Sequence, residues 1–280
     1  MKIVIGFSPC PNDTFIFDAL VNNKINTDGI IFEARLEDVE TLNRMAIDGT
    51  LPVSKVSYAV LPEVLEDYIV LNSGSALGSG VGPLLIGLTA IPGDEINNCI
   101  IAIPGEHTTA HMLFSLAFPG AKNKIFLRYN EIEDFVLSGS SVSQRSQKLG
   151  VIIHENRFTY ESRGLKKIID LGDFWQEKTG FPIPLGGIIG KRNIDSHLLK
   201  KVDGLINASI SYAFNNYPKL SDYVRNNSLE MEERIMRNHI DLYVNNYSLM
   251  LGKEGKMAVT EFLKIKQGSF TEPSAIPLFL

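Results

Sequence analysis

Chemistry-bearing residues recur in this chain at the ends of apolar runs. Leu149-Gly150-Val151-Ile152-Ile153 delivers His154, which is followed by Glu155 and Asn156. A short β-branched stretch bounded by glycine and polar residues predicts a buried central strand, and ligands of open α/β sheets sit beyond the carboxyl ends of such strands. An unperturbed imidazole titrates at about 6.5, so His154 is a candidate general base; the competing assignment is a hydrogen-bonded structural histidine. Glu155 would either orient that imidazole or repel it.

Three further segments place short polar side chains in the same way: residues 8–14, Ser54-Lys55-Val56-Ser57 and His107-Thr108-Thr109. Each follows an apolar strand and adjoins a helix, an arrangement that aims amides and hydroxyls at a ligand. Thr108 and Thr109 stand at a predicted helix start, which suits a carboxylate or phosphate; an ordinary threonine N-cap accounts for one of the two. Lys55 is either a solvated surface lysine or, facing a cleft, the positive charge that an acidic substrate needs. Cys10 invites a nucleophile reading, but its flanking prolines leave no helix N-terminus directly at the sulfur, and a rigid structural loop is its expected role. His111, His197 and His239 have no comparable position, whereas His107 could line the cleft.

Alternating strands and helices must position these groups. Residues 2–7 predict a strand and 13–21 a helix capped by Asn12 or Asp13. Then follow a strand at 30–34, a helix at 39–47, and a short strand within 53–60 that merges into a helix near 61–65. Such winding builds a largely parallel sheet. The glycine-rich stretch 73–83 lacks the Gly-Lys-Ser/Thr of a phosphate loop and leads into strand-like residues 84–88, so it reads as a turn feeding a strand that crosses between lobes. A second winding has strands at 99–103, 125–128 and 151–153, with helices at 110–117 and 132–137. Residues 165–169 and 174–178 read as helical, and 182–189 is an extended apolar segment that balances 84–88. From 195 the pattern is mainly helical, including 198–212 and 230–243, and is expected to pack back on the N-terminal lobe. The expected architecture is α/β and two-lobed, with residues 1–88 and 190–280 in a discontinuous first lobe, 89–189 in the second, and a ligand cleft between them. The apolar, proline-containing end, 273–280, is expected to be docked.

The 27 basic and 32 acidic residues among 280 give a net charge of −5. No cluster of Lys and Arg interleaves with aromatics, so nucleic acid is not an expected partner. No stretch reaches the roughly 18 apolar residues of a membrane span, and the start lacks a signal-peptide core. Two distant cysteines make no disulfide framework, and five scattered histidines make no metal signature. A cytoplasmic location without bound metal is the expectation.

The segments Ser8-Pro9-Cys10-Pro11-Asn12-Asp13-Thr14-Phe15, Glu37-Asp38-Val39-Glu40-Thr41-Leu42-Asn43, Lys55-Val56-Ser57-Tyr58, Gly80-Val81-Gly82-Pro83-Leu84, Thr108-Thr109-Ala110 after Pro104-Gly105, and Ile152-Ile153-His154-Glu155 before Arg157-Phe158-Thr159-Tyr160 resemble, in order, the 1,4-dihydroxy-6-naphthoate synthase family. The likeness runs over nearly the whole chain and ends with Pro277-Leu278-Phe279. It implies a fold like type II periplasmic binding proteins, used for catalysis in menaquinone biosynthesis by the futalosine route. The implied reaction cleaves cyclic dehypoxanthinyl futalosine, a small-molecule carboxylate, into 1,4-dihydroxy-6-naphthoate and a sugar-derived fragment without a redox cofactor. Lys55, Val56, Ser57, Thr108 and Thr109 match the family's substrate-binding segments, and His154 matches its proton acceptor. One departure is the segment from Ser140 to Leu149, longer than the family's glycine-acidic turn and free of acidic residues, which is expected to be a surface insertion at the far end of the catalytic strand. Two rivals share the residues: a non-catalytic binder of a small carboxylate or oxyanion, and a cysteine hydrolase using Cys10 with His154.

Overall fold

The computed structural model describes residues 1–141, 147–229, 232–268 and 277–280. Residues 142–146 of the atypical segment, 230–231 at the start of an expected helix, and 273–276 of the expected docked end lie outside the described residues. The strands are β1 Lys2–Phe7, β2 Ile31–Leu36, β3 Val53–Ser57, β4 Tyr68–Val70, β5 Ala76–Gly78, β6 Leu84–Gly87, β7 Ile100–Ile103, β8 Lys124–Phe126, β9 Lys148–Ile152, β10 Lys166–Asp170 and β11 Ile183–Lys191. Met1–Gly78 with Pro184–Leu280 forms one compact unit and Ser79–Ile183 another. These limits differ from the expected 88/89 and 189/190 because β6 pairs with β9 and β10, in the second sheet, while β11 pairs with β3 and β4, in the first.

The first unit's sheet runs β2-β1-β3-β11-β4, with β5 added on β11. β1 pairs in parallel with β2 and β3, as βα winding requires, but the returning β11 is antiparallel to both of its partners β3 and β4. Helix Pro11–Val21 is buried over almost its whole length. Phe15, Ile16 and Leu20 from it pack in one core with Val202, Ile206 and Ile210 of helix Ser196–Asn216, and Phe17 stacks on Phe7 at 4.3 Å. Each such fully buried large apolar side chain contributes roughly 1.5–3 kcal/mol, which is why the C-terminal helices fix the N-terminal one. The very end docks as expected: Leu280 N–H donates to the Val70 carbonyl at 2.9 Å and Val70 N–H to the Leu278 carbonyl at 3.0 Å.

The second unit's sheet runs β10-β6-β9-β7-β8. β7 is parallel to β8 and β9, whereas β6 is antiparallel to β9 and β10. Residues 165–169, expected to be helical, instead supply β10, an edge strand with a register shift between Lys167 and Ile169. The Lys-Lys-Ile-Ile-Asp run has too few residues to separate a helical from an extended period, and pairing with β6 decides it. The stretch read as a turn, 73–83, also holds the short strand β5. Its glycine-rich end packs closely: a Cβ on Gly82 would lie 2.3 Å from the Gly172 Cα and backbone nitrogen, at the first turn of helix Leu171–Thr179.

That approach yields a first expectation. Gly82→Ala forces two backbones apart and should cost about 1–3 kcal/mol, as overpacking does, measurable as a lowered urea midpoint; an unchanged midpoint would show that the two backbones do not meet there.

Candidate active site

In the first unit the chemistry gathers where the end of β1 lies beside the start of β3, with Gly6 level with Ser54, and β3 runs on to Ser57. Helix Pro11–Val21 starts there with Cys10 as N-cap and no side-chain cap hydrogen bond, so the expected capping by Asn12 or Asp13 does not occur. Proline at the first helical position removes one donor that a cap would serve. Asp13 turns back instead: its Oδ2 accepts from Ser8 Oγ at 2.8 Å and Ser8 N–H at 3.2 Å, and its Oδ1 accepts from Asn12 Nδ2 at 2.9 Å. Lys55 Nζ lies 3.1 Å from Asp13 Oδ1 and donates to the Gly74 carbonyl at 2.6 Å.

Lys55 is therefore not the solvated lysine that composition favours. It is 6% exposed, and its charge is met by Asp13, itself 4% exposed. Alternation along β3 puts Ser57 on the same face as Lys55 and turns Val56, 1% exposed, to the other. Asn43, fully buried, brackets Ser57 from helix Val39–Ile47: its Oδ1 accepts from the Ser57 N–H at 2.8 Å and its Nδ2 donates to Ser57 Oγ at 3.1 Å. Tyr58 Oη and Ser75 Oγ are 2.7 Å apart, and burial pushes the phenol up, with the Ser75 hydrogen bond opposing in part, so Tyr58 stays neutral. Cys10 is 3% exposed.

In the second unit the equivalent edge is formed by the parallel strands β7 and β9, with Ala102 level with Gly150. β7 ends at Pro104 and Gly105, whose φ of +152° suits glycine, and helix Thr109–Ala117 follows. Thr108 is its N-cap: the hydroxyl accepts from the His111 N–H at 3.2 Å and donates to the Gly105 carbonyl at 2.9 Å. One threonine thus does serve as an ordinary cap. Thr109, 4% exposed, is the first helical residue, where helix-dipole and amide donors favour an anion.

β9 is held on both sides, with Ile100 level with Lys148 and Leu84 level with Ile152. Lys148 and Leu149, the last residues of the atypical segment, open β9 at the end opposite His154. His154 itself is half-buried and has φ +57°, a left-handed conformation uncommon for a residue with a Cβ. Its carbonyl accepts from the Arg157 N–H at 3.3 Å, the Glu155 carbonyl from the Phe158 N–H at 2.9 Å, and its ring meets the Tyr129 ring edge-to-face at 4.9 Å. Tyr129 Oη donates to Glu155 Oε1 at 3.4 Å, while Glu155 Oε2, on a residue 8% exposed, has no hydrogen-bond partner among the described residues.

The structure thus gathers Lys55 and Ser57 at one sheet edge in the first unit, and sends Thr108, Thr109 and His154 from one sheet edge in the second. Sequence reasoning named Asp13 only as a helix cap, not as the partner of Lys55, and missed Asn43 and Tyr129 as working partners. Each is paired with a residue on another element, and for Asn43 only its occurrence inside a family-like segment marked it.

Two measurements check this geometry. Asp13→Ala leaves a buried ammonium without its carboxylate and should cost about 3–5 kcal/mol, with Asp13→Ala/Lys55→Met recovering part of it; equal stability of the single variant and the wild type would refute the buried pair. In urea unfolding, His154→Gly should be more stable than His154→Ala by roughly 1 kcal/mol, because only the alanine carries a Cβ into the left-handed region; the reverse order would refute that backbone assignment.

A family model described as menaquinone biosynthesis matches residues 3–267. The chain is 41% identical over 277 residues to the 1,4-dihydroxy-6-naphtoate synthase of Thermus thermophilus, covering 99% of this chain and 98% of that one. It is 38% identical over 264 residues to the protein of the same name from Streptomyces coelicolor, covering 92% and 90%. Among solved structures, a protein of Archaeoglobus fulgidus superposes with a TM-score of 0.86 at 27% identity, covering 95% of this chain and 97% of that one. A Candida albicans protein described as having the generic periplasmic binding protein fold gives 0.65 at 11% identity, covering 99% and 93%, a likeness of fold alone. With a match from the first strand to the last long helix, the chain belongs to the menaquinone biosynthesis family and has the periplasmic-binding-protein-like fold.

Proposed function

We propose that this chain is a cytoplasmic lyase that converts cyclic dehypoxanthinyl futalosine to 1,4-dihydroxy-6-naphthoate, with His154 as general base. The observation that carries the reading is the full-length likeness to two proteins of that name. No helix among the described residues is long and apolar enough to cross a membrane, which is compatible with an enzyme acting on a soluble substrate.

The local geometry supports roles for particular residues. In this reading the candidate substrate-binding residues are Ser57, with Lys55 and Val56 beside it on β3, and Thr108 and Thr109 at the start of helix Thr109–Ala117. The substrate carboxylate goes to the helix start at Thr108 and Thr109, where amide dipoles point outward. Lys55 works through Asp13, holding Ser8 and the start of helix Pro11–Val21 in place, and leaves Ser57 as the hydroxyl contact. His154 removes a carbon-bound proton next to a carbonyl, which delocalises the charge left behind. Elimination and aromatisation to the naphthoate then release the sugar-derived fragment, with no net change of redox state that would need a cofactor.

A non-catalytic binder of a small carboxylate or oxyanion remains the rival on the same fold, and substitution separates the two. His154→Ala should lower naphthoate release by roughly a hundred- to ten-thousand-fold, the usual contribution of a positioned base, while still retaining substrate in equilibrium dialysis; wild-type turnover by this variant would contradict the assignment. Cys10→Ser should retain turnover, and its inactivation with an intact fold would favour the cysteine hydrolase.

A further inference from the structure

His154 occupies a backbone conformation that its own side chain disfavours, and such strain persists only where the surroundings over-determine it. The turn that follows His154, helix Asn156–Thr159, is a single short one with no side-chain cap, too brief to hold itself. What fixes it comes from elsewhere in the second unit. The Arg157 guanidinium donates through Nη1 to the Gly82 carbonyl, and through Nη2 to the Gly80 carbonyl at 3.1 Å and to Asp170 Oδ2 at 3.1 Å. Both charged side chains are nearly buried, at 11% and 8% exposed.

Asp170 is occupied on its other oxygen as well. Its Oδ1 accepts from the Gly172 N–H at 2.8 Å and the Asp173 N–H at 3.4 Å, capping helix Leu171–Thr179, whose first residue donates to the Pro83 carbonyl at 2.9 Å. One guanidinium therefore ties three segments together: the glycine-rich loop before β6, the cap after β10, and the turn that carries His154. A planar fork with several donors can span these acceptors at once, and a lysine ammonium on a flexible stem cannot.

We propose that Arg157 is a positioning residue for His154, holding the turn against the Gly80–Gly82 loop so that the imidazole stays at the angle needed for proton removal. The proposal rests on His154 as the base. It also accounts for the glycine at position 82. Gly82, bare of a side chain, lets its backbone carbonyl meet the guanidinium while its Cα rests on Gly172.

The test compares Arg157→Lys and Arg157→Ala with wild type by two readouts. The first is steady-state turnover of cyclic dehypoxanthinyl futalosine. A misplaced base should lower kcat by about 10- to 100-fold, since small displacements from reactive geometry cost that much, with KM nearly unchanged. Millimolar guanidinium should restore part of the kcat of Arg157→Ala. The second is the set of His154 ring resonances in NMR, assigned by their absence in His154→Asn. They should shift or broaden in Arg157→Lys, while those of His239, buried in the first unit, stay in place. Folded Arg157→Lys with unmoved His154 resonances overturns the proposal, as does a variant that merely melts earlier at wild-type kcat or fails to fold at all. Moved resonances in a protein whose wild type releases no naphthoate uphold the positioning role and sink the lyase reading instead.

Discussion

His154 is held at φ +57°, outside the backbone region preferred by residues with a Cβ, and the second unit is arranged so that this conformation is the one its neighbours permit. β9 is clamped between an antiparallel and a parallel partner, which fixes where the chain leaves the sheet. Tyr129 limits the ring, and the turn after it is anchored by Arg157. Each single hydrogen bond among them is worth about a kcal/mol or two net, and together they choose a conformer that the isolated chain would rarely visit. An imidazole fixed in this way keeps one orientation relative to its sheet.

The first unit reaches rigidity by another route. Its edge carries a buried ion pair, Asp13 with Lys55, whose desolvation is offset only because Ser8, Asn12 and the Gly74 carbonyl supply further hydrogen bonds. Asn43 holds Ser57 in the same manner. The two units share a plan in which polar residues lie on or follow parallel strands, and several of them, Lys55, Ser57 and Glu155 among them, are held by a partner from a different segment. Edges preorganised in this way hold their polar side chains ready to meet a ligand.

Much of this was legible in the amino-acid order. The βα windings, the strand leading to His154, the helix start at Thr108 and the docked end at Leu280 all follow from local patterns of apolar, capping and breaking residues. The failures have physical causes. Residues 165–169 read as helix because five residues cannot settle a period, and only the partner strand β6 makes them β10. The lobes' limits were displaced because an apolar crossing segment does not say which sheet it will join. Whether Lys55 is solvated or buried stayed open in the sequence, because its carboxylate partner, Asp13, lies on a different element, and ion pairing of that kind leaves no periodic trace. Likewise, Arg157 stood in plain view beside His154, but two of its acceptors come from the distant Gly80–Gly82 loop and the third, Asp170, from the end of β10.

Incubating the purified wild-type protein with cyclic dehypoxanthinyl futalosine, and following the products by mass spectrometry, tests the lyase reading most directly. Catalytic conversion is predicted, many equivalents per protein, to 1,4-dihydroxy-6-naphthoate and a sugar-derived fragment with no added cofactor. Recovery of bound but chemically unchanged substrate would contradict it and identify the protein as a binder.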